Sequence, residues 1–140
     1  MGSAARVCEG GAKTIFQNLI SGAFYNFMNK TWLAIKNQVL GEKYDLSFSY
    51  SENDEMLRLN KTYRQKDYSA NVLSFPLSEN EGEILINKNC QKNKGVSFYL
   101  FTHSLLHLSG LKHGKKMDEK ETEIMQKLYP ENWEKIMAGI

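Results

Sequence analysis

The histidines of this sequence say most about its local structure, because all three lie in one short segment, HSLLHLSGLKH. His103 and His107 are four residues apart within an apolar run, so a helix would place both rings on one face, one turn apart. Gly110 can adopt the left-handed backbone conformation that ends a helix and reverses the chain. The segment therefore predicts a helix and a tight turn that returns His113 toward the other two rings.

Three neutral imidazoles that converge in this way suit a borderline-soft divalent metal ion. With only three protein ligands, a fourth position stays open, which is typical of catalytic rather than structural zinc sites. A single histidine pair at this spacing is more often a surface or core feature, but the complete pattern favours a metal site. We predict that His103, His107 and His113 bind one divalent ion, with zinc as the first choice and nickel as the alternative.

The pattern HxxxHxxGxxH is also found in the metzincin peptidases, whose motif is HExxHxxGxxH. In those enzymes the glutamate after the first histidine is the general base that takes a proton from water on the metal. Ser104 occupies this position here, and a serine hydroxyl cannot accept a proton at ordinary pH. The sequence thus predicts metzincin-like metal geometry without peptide hydrolysis.

Hydrophobic periodicity predicts alternating helices and strands on both sides of the histidine segment. Helices are predicted over residues 23–40, 96–109, 118–128 and 130–137, and a second helix in chain order carries Met56, Leu59 and Tyr63 inward. Short alternating or apolar runs predict strands over residues 14–20, 45–50, 72–75 and 83–86. Ser51 or Asn53 is expected to cap the second helix, and Asp118 with Glu121 is expected to form a capping box.

A chain of 140 residues is long enough for one hydrophobic core. We expect a single α/β domain over residues 14–140, in which helices pack on a small mixed sheet of about four strands. The metal ligands would lie on one of these helices and its terminal turn. Residues 1–13 are rich in glycine and alanine and are expected to be a tail, either divergent or added for expression.

The composition gives weaker indications. The formal net charge is only +2, which by itself does not suggest a nucleic-acid partner. Lys112, Lys115 and Lys116 surround His113, however, where a phosphate would have to approach the metal. Cys8 and Cys90 form no metal-binding pair, so a reducing cytoplasm is expected, and no apolar run of about 18 residues predicts a membrane span.

A second block, LNKTYRQKDYSANVLSFP over residues 59–76, precedes the strand GEILIN and the histidine segment. Together these segments closely resemble the YbeY family of bacterial metal-dependent endoribonucleases. That family has an LNxxYR block, a VLSFP block, a GDI-type strand and HxxxHLxGxxH in the same order. The resemblance covers about residues 44–128. Two positions depart from the family pattern: Lys112 replaces an aspartate and Ala70 replaces a threonine.

The resemblance implies a single-strand-specific endoribonuclease that acts in ribosomal RNA maturation and ribosome quality control, with RNA and the ribosome as partners. It also places Arg64 in the active-site cleft. A planar guanidinium can bind two phosphate oxygens at once and stabilise the charge that develops during cleavage. Without the resemblance, pairing of Arg64 with Asp67 or Glu55 at an exposed helix end would be the simpler interpretation.

Several roles stay open at this level. Asn71, Ser74 and Lys112 are candidate substrate-binding residues, although Asn71 and Ser74 could equally serve the sheet. No carboxylate stands out as a general base, so the 2′-hydroxyl of the RNA could be the nucleophile instead. A non-catalytic RNA- or ribosome-associated module, in which the metal only holds His113 against its helix, is the alternative. A zincin-type peptidase is less favoured because of Ser104.

Overall fold

The structure is a computed structural model and describes residues 30–139. The described elements are α1 (Lys30–Leu40), β1 (Asp45–Ser51), α2 (Asn53–Arg64), β2 (Val72–Ser78), β3 (Glu81–Asn87), a short 3₁₀ helix (Lys88–Cys90), α3 (Lys94–Leu108), α4 (Lys115–Leu128) and α5 (Trp133–Ala138). The predicted tail, the predicted strand over residues 14–20 and the first part of the helix over residues 23–40 lie outside the described residues.

The three described strands form one mixed sheet in the order β1-β3-β2. β1 runs parallel to β3, with Phe48 opposite Ile84, and β2 runs antiparallel to β3, with Leu73 opposite Leu85. β3 is central and is buried over residues 82–87, and its short apolar run of Ile84, Leu85 and Ile86 contributes to the cores on both faces of the sheet. The prediction of a small α/β domain with a mixed sheet is confirmed.

Alternation along the strands creates a core on each face of the sheet. On one face, Ile84 and Ile86 pack with Phe101 and Leu105 of α3, where Trp32 of α1 stacks on the Phe101 ring at 4.4 Å. A smaller cluster on the other face joins β2 and β3 to α2, with the buried residues Met56, Leu59, Leu73, Phe75 and Leu85. α3 is buried on most of its sides, so the helix that carries the first two histidines is firmly held.

Two predicted helix caps are wrong. The residue at the N-cap of α2 is Glu52, and its side chain makes no capping hydrogen bond. The Asn53 side chain instead accepts hydrogen bonds from Ser69 and Asn87, so tertiary partners have replaced the local one. α4 begins at Lys115, so Asp118 lies inside the first turn and cannot cap the helix. Its negative charge there interacts favourably with the helix dipole.

Two further helix starts are shifted. α3 begins at Lys94, since the Asn93 side chain accepts a hydrogen bond from the N–H of Val96 at 3.1 Å. The last helix begins at Trp133 rather than at Pro130. Within residues 30–139, no helix combines the length and the apolar character needed to cross a membrane.

Candidate metal centre

The histidine segment folds as its spacing predicts. α3 carries His103 and His107 on one face and ends at Leu108. Gly110 then adopts a φ of 104°, and its N–H donates to the carbonyl of His107 at 2.9 Å. The next N–H, of Leu111, donates to the carbonyl of Leu106 at 3.1 Å. These bonds reverse the chain and bring His113 back against the helix.

The three imidazole rings meet through their Nε2 atoms. The Nε2–Nε2 distances are 3.1 Å between His103 and His107, 3.0 Å between His107 and His113, and 3.3 Å between His103 and His113. His103 and His107 are partly buried, whereas His113 is exposed at the mouth of the site. Within residues 30–139 these side chains form a group that could hold a metal ion.

The other ring nitrogens show why the Nε2 atoms can act as ligands. The Nδ1 of His107 lies 3.0 Å from the carbonyl oxygen of Leu111, which can only accept a hydrogen bond. The hydrogen of neutral His107 is therefore on Nδ1, and its Nε2 carries a free lone pair. Burial, followed by the neighbouring His103, lowers the pKa of His107 and favours the neutral form that binds metals.

The spacing of these nitrogens fits a small divalent ion. Zinc–nitrogen bonds of about 2.0–2.1 Å in a tetrahedral site place ligand nitrogens about 3.3 Å from one another. The observed separations of 3.0, 3.1 and 3.3 Å are close to that value. Lone pairs that face each other at this distance repel unless a cation or a proton lies between them, so the donor set suits a metal ion.

The imidazoles open into a cleft with a volume of about 840 Å³. Arg64, Ser74 and Lys112, three of the residues proposed from the sequence, line this cleft together with the histidines. Asn71 does not line it, and the Asn71 Oδ1 lies 3.9 Å from the Sγ of Cys90. The substrate-binding role suggested for Asn71 therefore has no support from its position.

Arg64, the last residue of α2, lies partly buried in the cleft wall. Its two expected acidic partners are engaged elsewhere. Glu55 binds Arg58, with 2.9 Å between Arg58 Nε and Glu55 Oε2, and Asp67 pairs with Lys61 at 3.4 Å. Among the described residues 30–139, no ion pair involves the Arg64 guanidinium. It is therefore available to a ligand in the cleft.

The turn after α2 fixes the position of this arginine. Gln65 adopts a left-handed conformation with a φ of 56°, and its N–H donates to the carbonyl of Lys61 at 3.2 Å. The following N–H, of Lys66, donates to the carbonyl of Asn60 at the same distance. This pair of bonds ends the helix sharply. The side chains of Gln65 and Lys66 also line the cleft, although the sequence analysis assigned them no role.

The role predicted for Glu121, a capping box with Asp118, is wrong. The Glu121 Oε2 lies 2.6 Å from the Nδ1 of His103, so it contacts a candidate ligand rather than forming a capping box. Glu121 is buried, and it lies one turn from each of the buried residues Met117 and Met125. A carboxylate within an apolar helix face is the signal that could have identified it.

The turn at Gly110 gives a test of the link between backbone and site. Gly110→Ala has open space for the new methyl group but forces an alanine into a φ of 104°. We expect a loss of stability of roughly 1–2 kcal/mol and weaker zinc binding, because His113 would be displaced. Melting temperature and zinc affinity, measured by competition with a coloured chelator, check this.

Gly41→Ala is the matched control, since Gly41 has a φ of 92° and open space but follows α1. It should lower the melting temperature by a similar amount without changing zinc affinity. Equal zinc affinities for the two variants would show that the Gly110 turn does not position His113.

Comparisons with known proteins point to one family. A protein-family model described as endoribonuclease YbeY matches residues 17–136. An endoribonuclease YbeY of Caldanaerobacter subterraneus is 34% identical over 126 residues, which cover 67% of this chain and 80% of the relative. The corresponding protein of Zymomonas mobilis is 35% identical over 108 residues, with 60% of each chain covered. A Thermotoga maritima protein of known solution structure is 26% identical to this chain. The match spans 88% of this chain and 87% of the Thermotoga chain, with a TM-score of 0.44.

Proposed function

This chain belongs to the YbeY family of endoribonucleases, and we propose that it cleaves single-stranded segments of ribosomal RNA during rRNA maturation and ribosome quality control. The observation that carries the proposal is the convergence of three imidazole nitrogens in one cleft with Arg64, whose guanidinium makes no ion pair among the described residues. A ribosomal substrate would place the activity in the cytoplasm and the ribosome among its partners.

We propose that His103, His107 and His113 hold one zinc ion, with nickel as the alternative. Imidazole ligands suit both ions, and the nitrogen spacing described above suits a tetrahedral ion. When bound, such an ion supplies Lewis acidity toward a phosphoryl oxygen or a water molecule.

Residues that line the cleft are proposed to bind the RNA substrate. Arg64 is proposed to bind two oxygens of the scissile phosphate and to stabilise the charge that develops on them. Lys112 lines the same cleft, next to His113 in the sequence, and adds positive charge for the RNA backbone. Ser74 of β2 is mostly buried but lines the cleft, and its hydroxyl group can donate a hydrogen bond to the substrate.

The lining of the cleft, as far as residues 30–139 form it, argues against a peptidase. Among the described residues that line it, none is an aspartate or a glutamate. Glu121 contacts the Nδ1 side of His103, on the far side of the ring from the converging Nε2 atoms. It is therefore not placed to take a proton from a nucleophile at the centre.

The alternative of a non-catalytic module is also less favoured. A metal that served only to hold His113 against α3 would not require an arginine in an open cleft. Arg64 is partly buried there while its acidic neighbours pair with other cations. A partly buried arginine with no ion pair among the described residues disfavours folding slightly. A role in binding phosphate would explain why the protein keeps it there.

The proposed function can be tested with one RNA sequence in two forms. We expect cleavage of the single strand and little cleavage of the same strand in a perfect duplex. A chelator should stop the reaction, and added zinc or nickel should restore it. Equal cleavage of both forms would contradict single-strand specificity, and cleavage that is insensitive to the chelator would contradict metal dependence.

The purified protein is expected to lack peptidase activity, and Ser104→Glu should not create it. Ser104 is buried beneath the site, with 1% of its surface exposed, so a glutamate there would have to displace packed neighbours. We expect the variant to be less stable than the wild type and inactive toward casein. Chelator-sensitive casein hydrolysis by either protein would restore the peptidase interpretation.

A further inference from the structure

A buried carboxylate, that of Glu121, contacts one of the candidate metal ligands, His103. Glu121 has only 3% of its surface exposed, and the apolar residues Met117, Ile124 and Met125 lie on the same face of α4. Burying a carboxylate in such surroundings is costly unless hydrogen bonds compensate. The short contact of 2.6 Å between Glu121 Oε2 and His103 Nδ1 provides that compensation.

Tyr99 gives Glu121 a second partner. Tyr99 lies one turn before His103 on α3, and the two rings are 6.2 Å apart. Burial, then the charge of Glu121 and a hydrogen bond to it, raise the pKa of Tyr99 to about 12. The Tyr99 hydroxyl group is the donor in this hydrogen bond, because a carboxylate can only accept. Two side chains of α3 thus converge on one carboxylate of α4.

The three histidines consequently differ in how their rings are held. His103 is bound through Nδ1 by a buried carboxylate, and His107 by the backbone carbonyl of Leu111. For His113, which is exposed, the described residues provide no hydrogen-bond partner at Nδ1. A carboxylate partner fixes the ring orientation and makes the opposite nitrogen a better metal ligand than a carbonyl partner does.

We propose that Glu121 is a positioning residue of the metal centre, which holds His103 with Nε2 free for the ion, and that Tyr99 orients Glu121. The inference rests on the proposed metal site but not on RNA cleavage. Because the network joins α3 to α4, it also predicts that metal binding strengthens the packing of α4 against α3.

The test compares zinc affinity in the full-length wild type, Glu121→Gln, Glu121→Ala and Tyr99→Phe. Chelator competition gives the affinity, and the visible absorption spectrum of the cobalt-substituted protein reports ligand geometry. We expect Glu121→Ala to weaken zinc binding by about 10- to 100-fold and to change the cobalt spectrum. Glu121→Gln keeps the side-chain volume and an acceptor oxygen, so its zinc affinity should lie between those of Glu121→Ala and the wild type. Tyr99→Phe should show a smaller loss.

Glu123→Gln is the control, since Glu123 lies on the same helix but is exposed to solvent. It should match the wild type in affinity and spectrum. Wild-type affinity and an unchanged cobalt spectrum in both Glu121 variants would overturn the inference alone. A wild-type protein that binds neither zinc nor cobalt would overturn the metal centre together with this inference.

Discussion

Arg64→Ala is expected to lower the rate of RNA cleavage by about a hundredfold or more while the fold and the bound metal stay intact. Loss of a contact that forms only as charge develops on the phosphate costs on the order of 3 kcal/mol in activation free energy. The fold should tolerate the change, because the guanidinium makes no ion pair among the described residues. Single-turnover cleavage, zinc content and melting temperature, measured on the same preparation, check the three parts.

Two further variants sharpen this test. Arg64→Lys should recover little activity, because an ammonium group keeps the charge but loses the two-pronged geometry. Arg58→Ala removes another arginine of α2, one that is exposed and paired with Glu55, and should leave cleavage unchanged. An Arg64→Ala protein that cleaves RNA at the wild-type rate would remove Arg64 from the mechanism and favour the non-catalytic module.

His107→Ala is expected to abolish both stoichiometric metal binding and cleavage. The Nε2 of His107 makes the two shortest approaches in the group, at 3.1 Å to that of His103 and 3.0 Å to that of His113. Two imidazoles that remain after the change would bind zinc far more weakly than three. Since binding energy is coupled to folding, the variant should melt at a lower temperature than the zinc-loaded wild type.

The metal-free wild type is the reference for that experiment. If the loss of stability reflects the missing ion, His107→Ala should melt close to the metal-free wild type, and added zinc should not raise its melting temperature. Metal analysis of the dialysed proteins gives the ion content directly. One tightly bound ion per chain in His107→Ala would rule out the three-histidine site.

Local sequence predicts this centre because its geometry is mostly local. The helical period sets the relation of His103 to His107, and one glycine with a positive φ returns His113 to them. The strands predicted from the short apolar runs over residues 72–75 and 83–86 are confirmed, and they pair with each other in an antiparallel arrangement. The α/β fold follows from such short-range patterns.

Contacts between distant parts of the chain could not be predicted in this way. Glu121 is 18 residues from His103, and a helical pattern cannot distinguish a capping carboxylate from a buried partner of another helix. Asn53 likewise binds Ser69 and Asn87 instead of capping its own helix. Among the described residues Arg64 makes no ion pair, because Glu55 pairs with Arg58 and Asp67 with Lys61. These pairings depend on the folded structure and cannot be predicted from sequence spacing.

The role of the three-histidine centre is tested most sharply by titrating metal-free protein with zinc while the cleavage of a defined single-stranded RNA is followed. We expect negligible cleavage without zinc and a rate that rises linearly until one ion per chain is bound. The same titration of His107→Ala should give no increase. Full cleavage by the metal-free protein, or an equal response of His107→Ala to zinc, would contradict a three-histidine metal centre as the site of RNA cleavage.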